Sequence, residues 1–179
     1  MIYMFLAEGF EEIEALCPLD LLRRAGVEIK TVGIPSKTIC GAHGISVVCD
    51  MVGGEMSSFN ADMIILPGGM PGTLNLDASD LVHKAIDAAV KNDSYIAAIC
   101  AAPSILGGLG LLRGKEAICY PGFEDKLLGA RISENRVVVD GKIVTAAGMG
   151  VALDFGLALV ELLCGKDKAD ALRKGVIAD

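Results

Sequence analysis

The feature that most restricts this chain is an alternation of short, unbroken apolar runs with longer segments of helical period. Ile2–Ala7, residues 61–66 and residues 95–99 are such runs. Apolar positions Ile13, Leu16, Cys17 and Leu21 follow the first at helical spacing, and positions 81, 82, 85, 86, 89 and 90 follow the second. A strand with no polar alternation is buried on both faces, which happens in parallel sheets covered by helices on both sides. The pattern therefore predicts a mostly parallel sheet in an α/β sandwich, with residues 1–179 as one domain. Ligands in such sheets bind beyond the carboxyl ends of the strands.

Smaller elements fill the gaps. Residues 27–33 complete a first β-α-β unit, and Gly41-Ala42-His43-Gly44 sits between two β-prone runs as a hairpin or a pair of edge strands. Asp140-Gly141 joins residues 137–140 to 142–146 as a tight hairpin. Residues 117–120 read as a strand, 123–128 as a short helix, 151–164 as a helix stopped by Gly165, and 167–174 as a last helical turn or two. A helix starts at Pro103 and runs to about residue 106, and Pro18 is expected to kink or locally break the first helix.

Composition narrows the function classes. With 53% apolar and 22% charged residues the chain builds a core, so disorder is excluded. A net charge of -7 repels phosphate backbones, and 4% aromatics with no Trp offers no stacking platform, so no nucleic acid or membrane partner is expected. The start carries no basic residues before its apolar run, which reads as a strand and not an export signal. Six cysteines without C-x-x-C spacing in apolar surroundings read as reduced, which favours a cytoplasmic setting. His43 and His83 stand forty positions apart, so neither a metal nor another cofactor is expected.

Three strand ends carry residues that packing alone does not ask for: Glu8-Gly9-Phe10, Pro67-Gly68-Gly69 and Cys100-Ala101. In Ala97-Ala98-Ile99-Cys100-Ala101-Ala102-Pro103, small residues frame one nucleophile on a strand-to-helix turn, the pattern of a nucleophile elbow. A helix N-terminus there would lower the Cys100 pKa and enrich its thiolate. The alternative is one more buried cysteine. Gly68 and Gly69, with no Cβ, let backbone N–H groups approach a substrate oxygen, or else form an ordinary turn. Glu11, Glu12 and Glu14 open the first helix and read as a solvated first turn, except that Glu14, beside Ile13, can also face the sheet rim as a protonated carboxyl beside the thiolate. Gly148-Met149-Gly150 reads as a tight loop, since Leu153 stands where a dinucleotide fingerprint needs Gly.

Taken together, Glu11-Glu12-Ile13-Glu14-Ala15, Leu66-Pro67-Gly68-Gly69 and the segment from Ala97 to Pro103 resemble the ThiJ/PfpI superfamily, as do Arg23-Arg24-Ala25-Gly26, Tyr120-Pro121-Gly122-Phe123-Glu124 and Gly148-Met149-Gly150. Within it the chain is most similar to the branch of the parkinsonism-associated protein DJ-one and its bacterial relatives. The resemblance implies a flavodoxin-like three-layer α/β/α sandwich, usually a homodimer, with an oxidisable nucleophile at Cys100 and a protonated Glu14 hydrogen-bonded to its sulfur. It implies an anion pocket at Gly68, Gly69 and the backbone of Ala101, with His43, Tyr120 and Met149 lining it. Family activities include glutathione-independent glyoxalase, deglycase and redox-regulated chaperone behaviour, and some members carry a thiazole monophosphate biosynthesis label. Tyr120 stands where relatives place a pocket histidine, and a phenol with pKa ~10 is a poor general base, which argues against a protease. His43 replaces a frequent arginine and either supplies an imidazole or sits in a solvated hairpin. Two functions follow: an enzyme acting on small reactive aldehydes or their protein adducts, or an oxidative-stress sensor or chaperone that works by oxidation of Cys100.

Overall fold

The structure, a computed structural model, describes residues 1–178. Seven strands form the central sheet: β1 (Ile2–Ala7), β2 (Ile29–Ile34), β5 (Met51–Val52), β6 (Met63–Leu66), β7 (Tyr95–Ile99), β10 (Val137–Asp140) and β11 (Ile143–Ala146). Two small pairs lie outside it, β3 (Thr38–Cys40) with β4 (Ser46–Val48), and β8 (Glu116–Ala117) with β9 (Arg131–Ile132). The helices are α1 (Glu12–Arg24), α2 (Gly72–Asp77), α3 (Asp80–Lys91), α4 (Pro103–Gly108), α5 (Ala152–Cys164) and α6 (Lys166–Gly175).

The sheet order is β10-β11-β7-β6-β1-β2-β5, parallel except for the β10–β11 hairpin. The chain runs from β1 outward to β2 and then returns to the other side of β1 as β6. The two loops that leave β1 and β6 meet at this switch point, where the Gly72 N–H donates to the Gly9 carbonyl at 3.1 Å. Buried side chains fill both faces: Met4, Leu6, Phe10, Leu22, Phe155 and Val160 on one, Phe5, Ile64, Leu66, Ile86 and Leu106 on the other. Burying one such side chain stabilises the fold by about 1.5–3 kcal/mol. This is a flavodoxin-like, three-layer arrangement. No helix among the described residues is long and apolar enough to cross a membrane.

Several local expectations change. α1 is continuous through Pro18: the missing N–H falls opposite the Glu14 carbonyl, and the ring packs against α5, where Gly156 leaves room for Pro18 and Leu21. Of residues 117–120 only Ala117 is in a strand, as the end of the two-residue β8, and the short helix expected over 123–128 is a single 3-10 turn at Glu124–Lys126. α2 is an addition that a Pro- and Gly-rich start had masked.

Candidate active site

The site is assembled from the loops after β1, β6, β7 and β11. Cys100 follows β7 with φ 66, a left-handed backbone that a non-glycine residue adopts at a cost of about 1–3 kcal/mol. Its backbone is held on both sides, the N–H donating to the Ala146 carbonyl at 2.8 Å and the carbonyl accepting from Tyr120 N–H at 2.8 Å. The turn thereby lifts the side chain out of the strand, and Cys100 is partly exposed.

Opposite it lies Glu14, 1% exposed on the first turn of α1. Glu11 caps this helix, accepting from the Glu14 N–H at 2.7 Å, and the Glu11 N–H donates to the Gly68 carbonyl at 2.9 Å. The start of α1 is thus tied to the loop after β6. Gly68 N–H donates to Glu14 Oε2 at 3.0 Å. Gly68 has to be glycine: a Cβ there would stand 2.6 Å from both Cys100 Cβ and Glu14 Oε2. The Gly68 N–H is therefore committed to Glu14 and does not serve as an oxyanion donor. The backbone N–H groups that act on the Cys100 sulfur are those of Gly69 and Ala101.

The electrostatics differ from the thiolate expected at a helix end. Burial, then the Glu14 carboxylate beside it, pushes the Cys100 thiol up to about 12, against the downward pull of the Gly69 and Ala101 N–H groups. α4 has only six residues and begins three positions beyond Cys100, so its dipole does not overcome these effects. Glu14 is raised to about 7, first by burial and then by the charge on Glu11, while hydrogen bonds from Cys100, Gly68 and Met149 pull it down. Two acids in one desolvated niche do not both ionise: the pair loses its first proton near neutrality and resists losing a second.

The three glutamates do not form a solvated turn. Glu12 is 2% exposed and holds the β3–β4 hairpin: its Oε1 accepts from His43 N–H at 2.7 Å and its Oε2 meets His43 Nδ1 at 2.8 Å. His43 is committed to Glu12, with an exposed ring, so no imidazole is supplied to Cys100. Sequence reasoning missed this latch because nothing in the spacing joins positions 12 and 43. It also missed the Met149 N–H, a backbone donor to Glu14 that no side chain announces. Tyr120 and Met149 lie at the rim, each about half exposed. Ligand atoms of Glu11, Glu12 and His43 fall within 4.8 Å of one another. The helix cap and the hairpin latch account for that grouping, and we assign it no metal.

A cysteine on a strained elbow, a buried carboxyl against it and two backbone donors around the sulfur are thus gathered at the carboxyl ends of the central strands. Residues 1–162 match the DJ-1/PfpI family. The chain belongs to that family. It is 32% identical over 97% of its length to Protein dj-1beta of Drosophila melanogaster, covering 95% of that protein. It is 31% identical over 93% of its length, covering 90% of the relative, to the protein of Caenorhabditis elegans named glutathione-independent glyoxalase DJR-1.2. Two Arabidopsis thaliana relatives, Protein DJ-1 homologs B and A, are 39% and 37% identical, and the chain spans only 38% and 43% of their lengths. The oxidised DJ-1 of Toxoplasma gondii superposes with a TM-score of 0.94 at 33% identity, covering 98% of this chain and 97% of that one.

Proposed function

We propose that this DJ-1/PfpI protein converts small α-oxoaldehydes such as glyoxal and methylglyoxal to hydroxy acids without glutathione. Cys100 is the nucleophile and Glu14 the proton carrier. The observation that carries this reading is the buried Glu14 carboxyl set against Cys100, titrating near 7, where a group can both take and return a proton at physiological pH. Because the thiol is pushed up, the sulfur attacks as its proton passes to the Glu14 carboxylate, with no standing thiolate needed.

The C–S bond forms on the aldehyde carbon, and the new alkoxide lies toward the Gly69 and Ala101 N–H groups before receiving the proton. Glu14 then carries the aldehyde C–H proton to the adjacent carbon, leaving a thioester of Cys100 and the hydroxy acid. Water hydrolyses the thioester and the thiol is restored. The name of the Caenorhabditis elegans relative supports the reading. So does the departure at Tyr120, which leaves Glu14 as the base nearest the sulfur.

The test is conversion of methylglyoxal to lactic acid by the purified protein. Cys100→Ser is expected to lower turnover at least a thousandfold; a variant with full turnover overturns the proposal. We further propose a homodimer through the outer face of α1 and the β3–β4 hairpin, where Ile13, Ile45 and Val48 stand exposed. Light scattering of the purified chain checks it, and a monomeric mass refutes it.

A further inference from the structure

Gly148, between β11 and α5, faces the reacting atoms with bare backbone. A Cβ placed on it would stand 3.4 Å from Tyr120 Cδ2, 3.9 Å from Cys100 Sγ and 3.9 Å from Glu14 Oε1. These are ordinary van der Waals contacts, so nucleophile, proton carrier and Tyr120 ring enclose a niche one methyl group wide. On the other side, the Gly68 backbone already packs against Cys100 Cβ and Glu14 too tightly for any further atom. The Gly148 side is therefore the side on which space beside the sulfur is left for the carbon chain of an added group.

Tyr120 is well placed to act as the wall. Its N–H donates to the Cys100 carbonyl, its own carbonyl accepts from Phe123 N–H at 3.1 Å, and its ring stands 51% exposed. The backbone that carries the ring is thus fixed directly to that of the nucleophile, while the ring supports no core.

We propose that Gly148 and Tyr120 set the substrate size limit of this site, admitting α-oxoaldehydes whose group beyond the reacting carbonyl is a hydrogen or a methyl and opposing aryl or long-chain ones. The inference rests on the aldehyde reading for its substrate class, and on the niche alone for its size limit. Gly148 is the space, and Tyr120 is the wall. Neither moves a proton, so both are specificity-determining positions.

The experiment compares turnover ratios for glyoxal, methylglyoxal and phenylglyoxal. Discrimination by one carbon in a confined site is worth about 10–200-fold. Tyr120→Ala is expected to raise the phenylglyoxal-to-methylglyoxal ratio at least tenfold, and Gly148→Ala to lower the methylglyoxal-to-glyoxal ratio at least tenfold. Unchanged ratios in both variants overturn the inference. Gly148 has φ 157, where an alanine is strained, so a variant that fails to fold leaves Tyr120→Ala, at an exposed ring, as the deciding one. If the unsubstituted protein turns over none of the three aldehydes, the aldehyde reading fails and the size limit is still tested. Rates of Cys100 alkylation by iodoacetamide and by the bulkier N-ethylmaleimide are then compared. Tyr120→Ala should raise the maleimide-to-acetamide ratio at least tenfold, and an unaltered ratio refutes the niche whatever the substrate.

Discussion

Glu12 and Glu14 lie two residues apart on one turn of α1, both almost wholly buried, yet they are driven in opposite directions. Burial raises each, but Glu12 is overruled by hydrogen bonds from the His43 ring, the His43 and Ile45 N–H groups and its own backbone, and ends below the usual carboxylate range. Glu14 faces a thiol and the negative charge of Glu11, keeps the burial penalty, and ends at about 7. The difference teaches that burial sets only the size of the stakes, and the partners decide the sign. One carboxylate is favoured in its ionised form as a clamp, while the other is left to titrate at about 7.

The contrast is broken most directly at Glu14. Glu14→Gln should lower aldehyde turnover by about 10²–10⁴-fold, the range for loss of a general acid–base group, and steady-state kinetics on methylglyoxal checks it. In the unsubstituted protein kcat/KM should rise with pH through about 7 as the carboxylate base forms, and that acid limb should vanish in Glu14→Gln. Glu12→Gln should leave turnover within about threefold.

Stability sharpens the same comparison. Glu14 has a folded pKa raised above its unfolded value, so its contribution is fully present below about 4.5 and is lost as pH rises to about 7. A shift from 4.5 to about 7 corresponds to roughly 3 kcal/mol. Urea unfolding should show that loss between pH 4.5 and 7.5, and Glu14→Gln should flatten it. Glu12 behaves inversely: its folded pKa is depressed, so its contribution is present above about 4.5 and is lost as pH falls through the lowered value. Glu12→Gln should destabilise the protein at pH 7 by about 1–3 kcal/mol, the usual effect of weakening charge-assisted hydrogen bonds to a buried group. The smallest effect is expected from His43→Ala, whose ring is in solvent. Urea unfolding at pH 6 should then show only a slightly lower midpoint, with aldehyde turnover unchanged.

Much of this was legible in the residues. The runs at β1, β6 and β7 are unbroken because both faces of the sheet are covered, so layer order and strand identity follow from hydropathy alone. Asp140-Gly141 declared its hairpin, and the small residues around Cys100 declared a turn too tight for large ones. What could not be read is what each loop meets. Glu11, Glu12 and Glu14 are chemically near-identical, and α1 by itself distinguishes them only by angle. Their separate environments as helix cap, hairpin clamp and buried acid against a thiol arise because β6 brings Gly68 to one, the β3–β4 hairpin brings His43 to another, and β7 brings Cys100 to the third.

The same division explains the acidity of Cys100. The chain order determined that a cysteine would stand at a strand's carboxyl end before Pro103, and hence on the rim of the sheet. Tertiary packing alone decided that it would be a shielded thiol beside a titrating acid, because desolvation and charge depend on atoms gathered from β1, β6 and β11, far away along the chain. Local pattern sets the backbone path, since dihedral preference and hydropathy act between near neighbours. Proton affinity is set through space, and only the folded chain has that space.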